Sequence, residues 1–531
     1  MDQNENLQSP SNGSKKGYIW ITSIIFVLII GAVGVFAYNH FVTNNPLVQY
    51  ASVEKDTFED LWSYKEDYYG DGLILDEKLV NDAYESSLTL SANAQLPAQF
   101  TAQDPATSSI IQGLISTFNI IFDTKVDPDN KEAHVNADIT LQGNSLLSAE
   151  AYQNKEQTVL KVPALYDKYF SFENKKLGDF LRKNGEVYIP IEEIPNIIEY
   201  QQNALTGENL KQFTADYLDI VKDYVVDEEV KVKENVEYEG KKYTKLTLEF
   251  SEKEVQQILK DIFTEMKTDE RLNQIFYTSN LREQVFTELL NQLDQLTLPN
   301  GVTYEAYFNK DFVAHRTLTM EIPDDVVGDT ANMQFVMDTI MKENNAHLFN
   351  VELDLSYENV ESDVVISYNE QGNQEGSQYI VDRVYGVDVV DEYVDEKMSL
   401  DATTVYEDNT AKTDFAFHYD GADVAEMPTI SGFFNTTVNS DGEKAENTFE
   451  LGIDFEMEDR YMGNIAFHIG LDGENKITFT DELDFPTIDK SNAVNVFDLS
   501  GTDAEQILYE MEQNATAYFE EMFGAFSSLG F

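Results

Sequence analysis

Apolar and polar residues alternate strictly along several stretches of the chain. Val135, Ala137, Ile139 and Leu141 alternate with Asn136, Asp138, Thr140 and Gln142. Phe449, Leu451, Ile453, Phe455 and Met457 alternate with Glu450, Gly452, Asp454, Glu456 and Glu458, and the runs from Phe349 to Tyr357 and from Ile465 to Leu471 keep the same period. A period of two sends successive side chains to opposite faces, so these runs predict antiparallel strands with one apolar and one wet face. Turn signals stand at Glu239–Gly240, Asn309–Lys310–Asp311, Asp441–Gly442 and Asp472–Gly473. Helical spacing interrupts the strands. Ser251 and Glu254 form a capping box ahead of Val255, Ile258, Leu259, Ile262, Phe263 and Met266. Further helices are predicted through Leu281–Leu293, Phe335–Met341, Ile110–Phe122 and a final run from Thr502, whose apolar stripe should cover the sheet.

One segment follows neither period. Residues 18–38, YIWITSIIFVLIIGAVGVFAY, contain no charge. At 1.5 Å per residue such a helix is long enough for a bilayer core of about 30 Å. Tyr18 and Trp20 flank one end and Tyr38 the other, where interfacial aromatics are expected, and Lys15–Lys16 precede it with no further cation until Lys55. This predicts an uncleaved signal anchor: a single-pass protein of the cell membrane, N-terminus cytoplasmic and C-terminal part extracellular.

The expected organisation is a cytoplasmic tail (1–16), a transmembrane helix (17–41), a juxtamembrane helical stalk (42–75), an α+β lobe (76–345) and a strand-rich acidic lobe with a C-terminal helix (346–531). The fold class is α+β, antiparallel sheet lobes packed with amphipathic helices. Net charge deepens the contrast between the lobes: 97 acidic residues face 36 basic ones, and −34 of the total −61 falls on residues 346–531. Such a surface repels a phosphate backbone and excludes nucleic acid as a partner. The chain has no cysteine. Disulfides, thiol catalysis, Cys-ligated zinc and lipoprotein attachment are therefore excluded, and the core alone must hold the fold.

The succession SVEKDTFEDLWSYKEDYY (52–69), TVLKVPALYDKYFSFENKKLGDFL (158–181) and YEGKKYTKLTLEFSEKEVQQILKDIF (238–263), behind a basic-then-apolar N-terminus, resembles a family of single-pass membrane proteins of Gram-positive bacilli known as a domain of unknown function. The likeness spans most of residues 15–345. It implies a structural plan and no activity. More loosely, strands backed by capped helices look like bacterial lipoprotein-carrier domains, whose sheets hold acyl chains; that is a likeness of fold only.

Reactive chemistry is sparse. His40, His134, His315, His347, His418 and His468 lack the spacing of a metal motif, and GxSxG, P-loop and GxGxxG patterns are absent. His418 and His468 fall on polar strand faces. The carboxylates Asp391, Glu392, Asp395 and Glu396 are the best calcium candidates, but a solvated acidic face accounts for them as well. No cofactor is implied. Three functions remain: an interaction or sensor module for envelope proteins, a lipid- or amphiphile-binding module, and an envelope hydrolase. A dry core with an exposed apolar patch favours the first, an open apolar concavity of several hundred Å³ the second, and carboxylates of perturbed pKa converging in a cleft the third; a dry core is expected beneath Ile453 and Phe455.

Overall fold

The computed structural model describes residues 46–528, except for 98–104, 184–191, 204–211, 225–229, 342–345, 422–426 and isolated stretches of one to three residues. Two helices open the described chain, α1 (Pro46–Trp62) and α2 (Tyr64–Asn81). Strands β1 (Tyr84–Gln95), β2 (Phe118–Asp127), β3 (Glu132–Leu141), β4 (Asn144–Gln153), β5 (Gln157–Lys161) and β6 (Tyr169–Glu173) follow, with α3 (Pro105–Ile115) between the first two. Helices α4 (Leu177–Lys183) and α5 (Ile197–Gln202) lead to β7 (Lys231–Tyr238) and β8 (Lys241–Phe250). Next come α6 (Glu252–Met266), α7 (Asn273–Phe276) and α8 (Ser279–Gln292). A long meander occupies most of the rest: β9 (Val302–Phe308), β10 (Val313–Asp324), β11 (Asp329–Met341), β12 (His347–Tyr357), β13 (Asp363–Glu375), β14 (Gln378–Val390), β15 (Asp395–Glu407), β16 (Thr410–Asp420), β17 (Thr429–Ser440), β18 (Lys444–Asp459) and β19 (Gly463–Phe479). The short β20 (Ala493–Asn495) and the long α9 (Gly501–Ser528) complete it.

All 20 strands belong to one sheet. The chain enters it in the middle at β1 and meanders outward to β6, which β20 joins in parallel. It then crosses to the far edge and meanders back from β7 until β19 pairs with β1, from Tyr84↔Phe479 to Gln95↔His468. The edge strand β7 carries Lys231 and Lys233 and breaks register before Val236, devices that discourage pairing with another chain.

The register assigns each side chain to a face. One face carries Leu246, Leu248, Tyr304, Leu318, Phe335 and Leu355, which pack against α1, α6 and α8 in the largest core cluster. The capping box of Ser251 and Glu254 starts α6, and the six apolar residues that follow at helical spacing are all buried. Helix α2 continues across the same face: Tyr64 stacks on Tyr379 at 4.4 Å, and Leu75 closes over Tyr84, Val126, Val438, Ala445 and Ile477. A buried ion pair pins α1, with Glu54 accepting from Arg316 Nε at 2.6 Å while Tyr50 and Tyr304 share a hydrogen bond at 2.5 Å.

Several expectations are corrected here. Two α+β lobes are not formed: β11 pairs with β12 across the expected boundary at 345, and β19 returns to β1, so one continuous antiparallel sheet replaces them. Residues 335–341 are strand, not helix, because Phe335 and Met337 continue the inward phase of Ala331 and Met333 on β11. Asp472–Gly473 lies inside β19, where Gly473 makes room for the Phe449 ring of β18; a Cβ there would sit 2.2 Å from it. The run 110–122 divides into the end of α3 and the start of β2. Helix α9 does not spread its stripe over the sheet: Leu508, Tyr509 and Phe519 stay exposed, and Asn514 ties the helix to Leu165 O.

The single-pass topology is likewise not carried. Tyr18, Trp20, Tyr38 and all of 17–41 lie outside the described residues, and no described helix is long and apolar enough to cross a membrane. The signal-anchor assignment, and the cell-membrane location with an extracellular C-terminal part that rested on it, are withdrawn. That result concerns helices and says nothing of strands.

Candidate functional site

Helices cover the inner face of the sheet unevenly. Along β13–β19 the helix α2 crosses the strands near the turns at 376–377, 408–409 and 441–443, and the remainder of the face has no described helix over it. Cross-strand register builds an apolar row there: Tyr368, Tyr385, Leu400, Phe417, Ile430, Phe455 and Phe467 are successive neighbours. The rows on either side add Ile366, Val387 and Met398, and then Phe415, Ile453 and Ile469. None of these residues is buried. Ile469 is 49% exposed, Tyr385 46%, Ile366 45%, Leu400 37% and Phe467 36%. Phe455 and Phe467 stack on each other at 4.6 Å rather than under a covering layer. The dry core expected beneath Ile453 and Phe455 is therefore corrected: these side chains form a half-open surface.

The opposite face is wet, as alternation requires. His468 Nδ1 pairs with Asp454 at 2.9 Å and His418 Nε2 with Asp401 at 3.5 Å. A hollow of about 530 Å³ on that side is lined by Thr89, Lys412, Asn435, Glu450 and Asp472. The contrast decides which face is unusual. Exposed polar side chains need no explanation, whereas a contiguous apolar surface in water marks an interaction site.

At the far end of the inner face the side chains shrink to Ala133, Ala137, Ala149 and Ala151. Helix α5 stands over them and leaves an apolar cavity of about 390 Å³, bounded by Ala133, Val135, Ala151, Pro195, Ile197 and Tyr200. The roof is held by the buried Gln153, which donates Nε2 to Pro195 O and accepts from Ile197 N, at 2.9 and 2.7 Å, and Asn196 caps α5 through Ile198 N and Glu199 N.

A polar network borders the uncovered rows where α2 begins. Arg383, one residue pair below Tyr385 on β14, donates Nε to Glu370 (2.8 Å), Nη1 to Thr404 (3.0 Å) and Nη2 to the Tyr64 hydroxyl (3.0 Å). Glu370 also meets His347 Nε2 at 2.8 Å and accepts from Tyr368 at 2.5 Å. Burial pushes the Glu370 carboxyl up, but the hydrogen bonds from His347 and Tyr368 and the Arg383 charge outweigh it and hold the group at about 2. Burial raises the Tyr64 hydroxyl well above its ordinary range. Sequence reading missed this network. Its signal was a charged residue, Arg383, in the inward phase of Tyr379, Val381, Tyr385 and Val387.

The sequence-derived metal candidates do not converge. Asp391 accepts from Val394 N at 2.8 Å to shape the β14–β15 turn, and Asp391, Glu392 and Asp395 are exposed, with Glu396 half-buried on the inner face. Among the described residues no three His, Asp or Glu side chains are placed to hold a metal ion. His134, His315 and His347 are engaged by Glu150, Asp338 and Glu370, at 2.9, 2.6 and 2.8 Å.

No family model and no curated protein matches the chain. Among solved structures it is similar to Wzi of Escherichia coli, an outer membrane protein involved in group 1 capsule assembly and described as a carbohydrate-binding β-barrel; identity is 6% over 85% of this chain and 97% of that one, with a TM-score of 0.27. It is also similar to OccK10 (OpdN) of Pseudomonas aeruginosa, at 6% identity over 75% and 98% with a TM-score of 0.21. A loop-deletion form of OmpT, an outer membrane protein of Vibrio cholerae, matches at 11% identity over 74% and 98%, also at 0.21. At these TM-scores the likenesses bear on neither fold nor function.

Proposed function

We propose that this protein binds the apolar part of an amphiphile along the uncovered inner face of its sheet. The observation that carries the reading is the row from Tyr368 to Phe467: seven neighbouring strands present only apolar or aromatic side chains, and those side chains stand partly in water. At a strand spacing of about 4.8 Å, seven strands give a track about 29 Å long, long enough for an extended acyl chain. The 390 Å³ cavity under α5 lies on the same face and falls in the volume range of about 300–1,000 Å³ in which small-ligand sites are found. Catalysis is not part of the proposal: the described histidines are engaged with carboxylates, His347 at the margin of this surface through Glu370.

Saturable binding tests it. The full chain is titrated with fluorescent fatty-acyl probes that differ only in chain length, and native mass spectrometry counts the bound molecules. Affinity should rise with chain length, and Tyr385→Glu with Ile469→Asp should remove binding while the fold persists. Length-independent binding, or binding unaffected by the double substitution, refutes the reading. A role in protein interaction has one separate support, the exposed Leu508, Tyr509 and Phe519 of α9; deleting 501–528 should leave lipid binding intact if the two surfaces act separately.

A further inference from the structure

The uncovered face begins, on β13–β14, beside two cations. Arg383 lies one residue pair from Tyr385 and uses three of its five N–H groups on Glu370, Thr404 and Tyr64. Lys65 follows Tyr64 at the start of α2. The Tyr64 ring stacks on Tyr379 and its hydroxyl reaches Arg383, so this end of the helix lies along β14. Among the described residues Lys65 makes no hydrogen bond or ion pair, although it is half-buried. The carboxylate paired with Arg383, Glu370, whose charge also acts on Lys65, is already engaged by His347 and Tyr368 as well. The next two residues of α2, Glu66 and Asp67, are exposed. In a chain of net charge −61, Lys65 is thus a half-buried cation with no described hydrogen-bond or ion-pair partner at the margin of an apolar track.

Resting on the amphiphile reading above, we infer that Lys65, with Arg383 behind it, receives an anionic headgroup, a carboxylate or a phosphate monoester, while the attached chain lies along Tyr385, Leu400, Phe417 and their neighbours. The physical case is one of local pairing against a distant field. A half-buried ammonium without a partner is costly, and burial and the Arg383 charge both push Lys65 below its ordinary range, with Glu370 opposing them. An incoming anion relieves that cost through charge-assisted hydrogen bonds. The surface carboxylates repel the same anion only through water and salt, which screen them beyond about 10 Å. Tyr385 and Tyr368 stand in the adjoining row.

Three ligands of equal chain separate the possibilities: oleate, oleoyl lysophosphatidate and uncharged monoolein, each titrated into the full chain by calorimetry below its micelle concentration. The anionic pair should bind more tightly than monoolein. Lys65→Gln should weaken the anionic ligands by about 10- to 100-fold, the loss of one charge-assisted contact, and leave monoolein unchanged. Lys65→Arg should restore the preference. The oleate and lysophosphatidate arms tell carboxylate from phosphate. If monoolein binds as tightly as the anions, or if Lys65→Gln keeps their advantage, the headgroup assignment is overturned and chain binding stands. If none of the three binds, the amphiphile reading itself fails. Unchanged melting of both variants shows that a lost preference is not lost folding.

Discussion

Ile469→Asn is the substitution that separates an uncovered sheet face from a buried one. Ile469 lies on the inner face of β19, between Ile453 of β18 and Ala94 of β1, and 49% of it is exposed. Full burial of such a side chain is worth about 1.5–3 kcal/mol, so at most about half of that is at stake. Asparagine there keeps its amide in water, and lower strand propensity adds up to about 1 kcal/mol. The expected cost is about 1–2 kcal/mol. The control is Ile262→Asn on α6, at 0% exposure in the main core. It loses the whole burial term, opens a cavity and strands an amide, together about 4 kcal/mol or more. Urea unfolding followed by far-UV circular dichroism, compared at a common slope, reads both. Saturable uptake of a neutral probe such as Nile red should fall in Ile469→Asn. A cost above about 3 kcal/mol for Ile469→Asn, or undiminished probe uptake, refutes the claim that this face is open to a ligand.

Breaking the pin of α1 should be far more damaging: Glu54→Gln leaves the Arg316 guanidinium buried and unpaired, at about 3–5 kcal/mol, and a double replacement by apolar residues should recover much of it, as a double-mutant cycle in urea would show. Glu370, held at about 2 against an ordinary value near 4.5, contributes stability that is present above its unfolded pKa and lost as pH falls through its folded one. Between about pH 4.5 and 2 the wild-type melting temperature should therefore drop more steeply than that of Glu370→Gln. Ser251→Ala removes the capping box of α6 and should cost about 1 kcal/mol by the same denaturation assay. With a net charge of −61, added salt should raise the melting temperature by screening self-repulsion; a flat response would contradict that.

Strand pattern was legible and assembly was not. The alternation at 135–141, 349–357, 449–457 and 465–471 reads correctly as β3, β12, β18 and β19, and the capping box of Ser251 and Glu254 reads correctly as the start of α6. Nothing in a period of two states which strand will be a neighbour, so the return of β19 to β1, more than 370 residues away in sequence, was invisible and one sheet was read as two lobes. Short apolar pairs such as Phe335–Val336 and Ile340–Met341 satisfy helical and strand spacing alike, and tertiary pairing with β10 and β12 decided for strand. Gly473 was misread as a turn for a related reason: Gly after Asp marks a turn by local chemistry, but here glycine serves a ring on the next strand.

The apolar track was legible residue by residue and its exposure was not, and the reason is general to sheets. Alternation shows only that a strand has an apolar side. Whether that side meets a helix depends on how many helices the chain supplies and where they land. Here α6 and α8 gather over β8–β12, α2 crosses β14–β17 at one end, and α9 lies away near Leu165. Among the described residues, the 11 strands from β13 to β19 and β1 to β4 meet α2, the short α5 and, at β1, α3, which leaves the inner side of β13 to β19 largely unmatched. A chain that needed only a dry core would place polar residues at the uncovered inner positions, as it does on the outer face with Thr448, Glu450 and Asp472. It places Phe417, Phe455 and Phe467 there instead, on a face whose margin holds Arg383 and the half-buried Lys65. An apolar surface retained at a cost to solubility, with an opposite charge held at its edge, matches the two ends of an amphiphile.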